Sequence, residues 1–253
     1  MELTGHTVLV TGAGTGMGLE AAQQFARRGN RVVMVARNEQ RLREEADRLD
    51  RAHAHAHACD ITDPDQVAGL LAFLDEQHPD LDVVLLNAGV THTYRLFAGE
   101  DALGYAEVEM RTNYLSAVRL IDALVPRLAR QADPALIVTT SGVAFGPDIS
   151  NPTYSATKAA LHSLTQSVRL QLERNGSRIK VFEFMAPPVD SPFSAAVASD
   201  VKISPAAAVA ELLDGLERDE LELHAGITKS TFRLLRESGS DAAVRAVNAA
   251  TGG

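Results

Sequence analysis

The chain has 253 residues, 45% of them hydrophobic, which suffices for the core of one large α/β domain. A formal net charge of −9 with no compensating basic run would repel a phosphate backbone, so no nucleic-acid partner is expected. No apolar stretch approaches the roughly 20 residues that span a bilayer, the start MELTGHTVLV lacks a charged region ahead of an apolar one, and the single Cys59 can form no intrachain disulfide; a cytoplasmic protein without membrane contact is expected.

Apolar runs of strand length alternate with segments of helical period, and no low-complexity linker separates them. This predicts βαβ repeats: an α/β, single-domain, doubly wound Rossmann fold, with a parallel sheet of about seven strands and helices on both faces. TVLVTG is the first strand. A helix from about Met17 to Arg28 then carries Leu19, Ala22, Phe25 and Ala26 on one face and is stopped by Gly29. RVVMVAR is the second strand, and the charged helix NEQRLREEADRL leads back to HAHAHACD, residues 53–60.

A His-rich tract invites a metal reading. Alternation with alanine puts His53, His55 and His57 on one face of a strand, each about 6 to 7 Å from the next, too spread for one tetrahedral ion. The tract is therefore read as a short third strand at the sheet edge, its polar side chains facing outward, and no metal is expected.

LDVVLLNAG, PALIVTTSG, RIKVFEFMAP and LELHAG follow as strands four to seven, with a helix from about Tyr154 to Glu173 ending near Gly176. The tail from Thr228 to Gly253 is polar and weakly amphipathic; short helices that fray at ATGG are expected there.

Two motifs carry chemistry. VTGAGTGMG, residues 10–18, stands between a strand and a helix, where glycines permit a tight turn and a pyrophosphate can rest on the helix N-terminus. YSATK places Tyr154 and Lys158 four apart on one helix face, where an ammonium beside a phenol favours the phenolate and makes a general acid/base. Ser141, just past the fifth strand, stands at the end of the sheet where ligands bind, and its hydroxyl can hold the same oxygen.

With these motifs in order the chain resembles the short-chain dehydrogenase/reductase (SDR) family along nearly its whole length, and within it most resembles the DltE-type oxidoreductases through MAPPVDSPF. TGAGTGMG matches T-G-x-x-x-G-x-G, CDITD the adenine-side aspartate, NAG at 87–89 the strand-four motif and YSATK the pattern Y-x-x-x-K. The resemblance implies one NAD(P)-binding oxidoreductase domain over residues 1–253 that interconverts a carbonyl and a secondary alcohol. It implies a tetrad of Asn113, Ser141, Tyr154 and Lys158, in which Tyr154 moves the proton, Ser141 holds the reacting oxygen, Lys158 binds the nicotinamide ribose and Asn113 holds a relay water. The cofactor would lie on Gly12, Gly14, Thr15, Gly16, Met17 and Gly18, with Asp60 and the Ile61 amide at the adenine and Asn87, Ala88 and Gly89 alongside.

Two departures stand out. Leu86 precedes Asn87 where the family often has asparagine, a change that touches packing. Pro187 and Pro188 stiffen the loop that reaches the nicotinamide, leaving the Val189 N–H and the Ser191 hydroxyl to hold the carboxamide. At the end of strand two Ala36 and Arg37 replace an acidic residue, so NADP(H) is favoured, with NAD(H) as the alternative and Arg37 acting largely alone. Val143, Phe145, Met185, Val189 and Phe193 are candidates for an apolar substrate cleft, and His92 and Tyr94 for its polar rim. Family resemblance further implies a homodimer or homotetramer through the helices around 113–130 and 154–173. The rival reading is a dinucleotide-binding sensor or scaffold without turnover.

Overall fold

The valine-rich runs lie side by side in one parallel sheet. A computed structural model of the protein, describing residues 1–49, 53–197 and 199–250, forms β1 (Thr7–Thr11), β2 (Arg31–Ala36), β3 (Ala54–Ala58), β4 (Val83–Leu86), β5 (Ala135–Ser141), β6 (Lys180–Ala186) and β7 (Glu222–His224). Their order is β3-β2-β1-β4-β5-β6-β7, every pair parallel, which makes the molecule a single doubly wound α/β domain. Central strands such as β1 and β5 are buried at every residue, which is why they read as continuous apolar runs rather than alternating ones.

Helices α1 (Gly16–Arg27), α2 (Glu39–Leu49) and, late in the chain, α7 (Pro205–Glu217) cover one face, where Val8, Val10, Phe25, Leu42 and Leu212 share a core. On the other face, α3 (Pro64–Gln77), α5 (Ser116–Leu128) and α6 (Pro152–Arg174) enclose Leu9, Val33, Leu70, Leu124 and Leu161. Between β4 and α5 the short helix α4 (Ala102–Glu109) passes through a π-helical turn, Met110–Leu115, that turns Asn113 inward. Leu86, the departure from the family pattern, is buried in the second core.

β3 is the sheet edge, and its alanines and histidines take opposite faces, Ala54 and Ala56 packing on the first core. The histidine face is outward only in part: His55 is exposed, as expected, whereas His57 is half-buried against Phe73 of α3. His55 Nδ1 lies 3.0 Å from His78 Nε2, and the His57 ring sits on Phe73 at 4.6 Å between centroids. Burial lowers the His57 pKa. Among the described residues no group of three or more His, Cys, Asp or Glu is placed to hold a metal, and no helix is long and apolar enough to cross a membrane.

The polar tail folds back as a helical hairpin, α8 (Thr228–Ser238) and α9 (Ser240–Ala250), joined at Gly239 with φ +86°. Asn248 on α9 pins it to the loop after β5, donating from Nδ2 to the Pro147 carbonyl at 2.9 Å and accepting the Ile149 N–H at 2.8 Å. Residues 251–253, where fraying is expected, lie outside the described residues.

Candidate active site

The glycine turn and the NAG segment form one unit. The Thr11 hydroxyl accepts the N–H groups of Asn87 and Ala88 at 3.0 and 3.1 Å, and Asn87 Nδ2 donates to the Thr11 carbonyl at 3.3 Å. Gly12 is left-handed, φ +72°, and a Cβ there would meet Ala88 Cα at 2.9 Å; one on Gly18 would meet Asn87 Nδ2 at 2.6 Å. Only glycine lets the two segments close. Thr15, the N-cap of α1, makes no side-chain capping bond, so the first amides of the helix remain available to an anion.

A cavity of about 920 Å³ runs from this turn along the C-terminal ends of the strands. It is lined by Gly12, Gly14, Thr15, Gly16, Met17, Arg37, Asp60, Ile61, Asn87, Ala88, Gly89, Ser141, Tyr154, Lys158, Val189 and Ser191, so nearly every sequence-predicted site residue is brought together. Gly18 and Asn113 are not on its wall. Gly18 packs beneath the turn, and Asn113 stands behind it, its Oδ1 accepting the Val90 N–H at 2.8 Å and its Nδ2 donating to the Val90 carbonyl and Thr157 Oγ1 at 2.9 and 3.0 Å. Asp60 is held by an Asx turn in which the Thr62 N–H and hydroxyl both donate to Oδ1. After the two prolines, backbone bonds between residues 188–190 and Ile203 hold the loop, and the Ser191 and Ser194 hydroxyls both donate to the Val189 carbonyl.

At the centre of the cavity, Lys158 Nζ lies 5.7 Å from the Tyr154 ring centroid and donates to the Thr139 carbonyl at 2.8 Å. Ser141 shares the cavity wall with Tyr154 and donates to the Ala186 carbonyl at 3.3 Å. Burial raises the Tyr154 pKa well above its ordinary value; the Ser141 hydrogen bond opposes this and the Glu109 charge adds to it. The sign is opposite to the lysine-lowered phenol expected from spacing alone, because removing the phenolate from water is the largest effect. Burial likewise pushes Lys158 down to about 8, with Glu183 acting upward. The arrangement is a phenol held protonated at neutral pH beside a hydroxyl donor, suited to giving a proton to an oxygen.

Beyond the tyrosine the wall mixes apolar side chains with charged ones, among them Arg111, Arg233 and Glu237. Val143, Val189 and Phe193 line it, Phe193 meeting Tyr154 edge-on at 5.7 Å, but Met185 is fully buried in the sheet and Phe145 packs among His162, His224 and Phe232. His92 and Tyr94 do not form the rim. His92 donates its backbone N–H to the fully buried Glu109 at 2.7 Å and stacks on Tyr105, while the Tyr94 hydroxyl donates to Thr153, which donates to Glu109. This carboxylate fastens α4 to the start of α6.

Two sets of lining residues escape a reading of the sequence. Ile227, Thr231 and Leu234 with Val247 bring the C-terminal hairpin onto the cavity, and Asn38 and Arg41 join Arg37 at its opposite end. Arg37 lies in the turn before α2 and Arg41 within its first turn, so helix spacing does not relate them and only the fold brings both to this end of the cavity.

Comparison with known proteins agrees with this geometry. A family model described as short chain dehydrogenase matches residues 6–202, stopping before α7 and the hairpin. The oxidoreductase DltE of Bacillus subtilis (strain 168) is 35% identical over 191 residues, 76% of this chain and 74% of that protein. A short chain dehydrogenase from Burkholderia cenocepacia J2315 in complex with NADP superposes with a TM-score of 0.85 at 25% identity, over 97% of this chain and 98% of that one. One from Sphingobium yanoikuyae in complex with NADPH gives 0.79 at 28% identity, over 92% and 94%.

Proposed function

The chain belongs to the short-chain dehydrogenase family, as an NAD(P)-dependent oxidoreductase of the DltE type, and on that premise we propose that it reduces a ketone or aldehyde carrying an apolar group, or oxidises the matching alcohol. The observation that carries this reading is the buried Tyr154 phenol with Ser141 and Lys158 in one cavity with the glycine turn. The close-packed turn at Gly12 and Gly18 and the uncapped start of α1 suit a dinucleotide pyrophosphate.

A bound nicotinamide would supply or accept the hydride. The protein's own groups manage the oxygen and the proton. Ser141 donates a hydrogen bond to the carbonyl oxygen and orients it, and Tyr154 gives its proton to that oxygen as charge develops there. Lys158 places a positive charge beside the phenolate left behind, limiting the energy of forming an anion in a buried site. Phe193 and Val143, with Leu234 and Val247 of the hairpin, exclude water and select an apolar substituent.

A panel of ketones, aldehydes and secondary alcohols, followed by absorbance of the reduced cofactor with each nucleotide, tests the reading. Turnover of bulky apolar carbonyls ahead of small polar ones is expected. Nucleotide binding without turnover of any compound would favour a sensor or scaffold instead. The oligomer is proposed to be a homodimer or homotetramer joined through α5 and α6, whose Leu115 to Val118 approach and Leu170 leave large apolar side chains exposed. Light scattering at micromolar concentration checks this, and a monomer would overturn it.

A further inference from the structure

Lys158 shares its face of α6 with His162, one turn further on, and His162 stands against a carboxylate that the tetrad does not include. Glu183 lies in the middle of β6, in register with Val138 of β5, and has no exposed surface. Its Oε1 accepts the Thr140 hydroxyl at 2.6 Å, and His162 Nδ1 stands 2.9 and 3.0 Å from its two oxygens. The Lys158 ammonium is fixed on Thr139, the residue between Val138 and Thr140. Ammonium and carboxylate are thus held by successive residues of β5, Thr139 and Thr140, and the imidazole on the carboxylate stands one helical turn along α6 from the lysine.

We propose that Glu183 is a positioning residue for the reaction, its carboxylate serving as the buried counter-charge that keeps Lys158 an ammonium, with His162 and Thr140 holding that carboxylate in place. The proposal rests on the roles given above to Tyr154 and Lys158. A charged carboxylate inside a sheet is unfavourable unless positive or hydrogen-bonding groups face it, and the lysine has the converse need. The groups facing the carboxylate are Lys158 and His162 from α6, Thr140 from β5 and His224 from β7, the last near Glu222; Phe145 and Phe232 close the site around the two imidazoles. Without the carboxylate, the upward influence on Lys158 is lost and burial alone acts on it. A neutral lysine does not stabilise the Tyr154 phenolate, so reduction should fail at a lower pH.

Glu183→Gln keeps the size of the side chain and an oxygen for Thr140 while removing the charge. With the best carbonyl compound from the panel, the alkaline limb of its kcat/KM profile should move down by about one pH unit, a tenfold change in the proton affinity of Lys158. Glu183→Asp, whose carboxylate is drawn back by one methylene, should move the limb in the same direction by less. A Glu183→Gln limb at the wild-type pH, only lower in height, would overturn the proposal and leave a structural role. A second reading needs no substrate: urea unfolding at pH 7 of the wild type, Lys158→Met, Glu183→Gln and the double variant. Lys158→Met should lower the folding equilibrium constant about tenfold more in the wild-type background than in the Gln background, and additive effects would overturn the proposal. If Glu183→Gln does not fold, Glu183→Asp, with its carboxylate drawn back by one methylene, replaces it in both measurements, with a smaller shift in the same direction expected and none as the overturning result. A wild type without turnover contradicts the oxidoreductase reading alone, because the unfolding cycle is read on the free protein.

Discussion

Tyr154→Phe should lower kcat by at least about a thousandfold while leaving NADPH affinity within about threefold of the wild type. The substitution deletes one hydroxyl and keeps the ring, so the edge-on contact with Phe193 remains and Ser141 retains the Ala186 carbonyl as a partner. What disappears is the transferable proton, and no other group at that place can supply it. The pH dependence has a definite sign. Because burial raises the phenol above its ordinary value, Tyr154 stays in its acid form through neutral pH, and carbonyl reduction should be level there. It should fall as the pH rises past about 8, where Lys158 gives up its proton, whereas alcohol oxidation, which needs the phenolate, should rise with pH over the neutral range. Stopped-flow or steady-state absorbance of the reduced cofactor measures both. Turnover by the purified variant within tenfold of the wild type would remove Tyr154 from its role.

The strands and the nucleotide cradle are legible in the sequence because each has a local cause. Valine runs pair where they are buried on both faces, and Gly12 and Gly18 stand where another residue's Cβ would strike the NAG segment. The Tyr154 and Lys158 pair is legible because helix spacing alone sets it. What cannot be read locally are contacts between distant residues. Glu183 in KVFEFMA looks like an interruption of an apolar strand, and only folding brings Thr140, 43 residues away in sequence, and His162, 21 away, against it. Glu109 is equally hidden: in the sequence His92 and Tyr94 look like loop residues at a rim, yet the carboxylate and Thr153 draw them off the cavity. The direction of the Tyr154 shift depends on burial, which spacing does not report. The tail reads as polar because its cavity side itself mixes Ser230, Arg233 and Glu237 with Leu234 and Val247, so no clean apolar face marks it in the sequence.

The second large effect concerns the nucleotide. NADPH should be preferred to NADH by about ten- to a hundredfold in kcat/KM. At the end of β2, where an acidic residue would contact a ribose, Ala36 lies beside Gly14, and Arg37 and Arg41 line that end of the cavity with Asn38. Glu39, the nearest acidic residue, pairs with Arg43 on the same helix, which draws its charge away from the two arginines. A guanidinium hydrogen-bonded to a 2′-phosphate is worth about 1.5 to 3 kcal/mol, less at an exposed rim where salt screens it. Arg37 alone would give the lower end of the expected range, and Arg41, in the first turn of α2 on the same cavity wall, extends it. Arg37→Ala should therefore reduce the preference without abolishing it, and Arg37→Ala with Arg41→Ala should remove it while NADH turnover is unchanged. Ala36→Asp combined with Arg37→Ala should reverse the order, since the new carboxylate repels the 2′-phosphate and accepts the ribose hydroxyls of NADH. Steady-state kcat/KM for both nucleotides with one carbonyl compound decides this: equal use of the two by the wild type, or an NADH preference, would remove the arginines from that role.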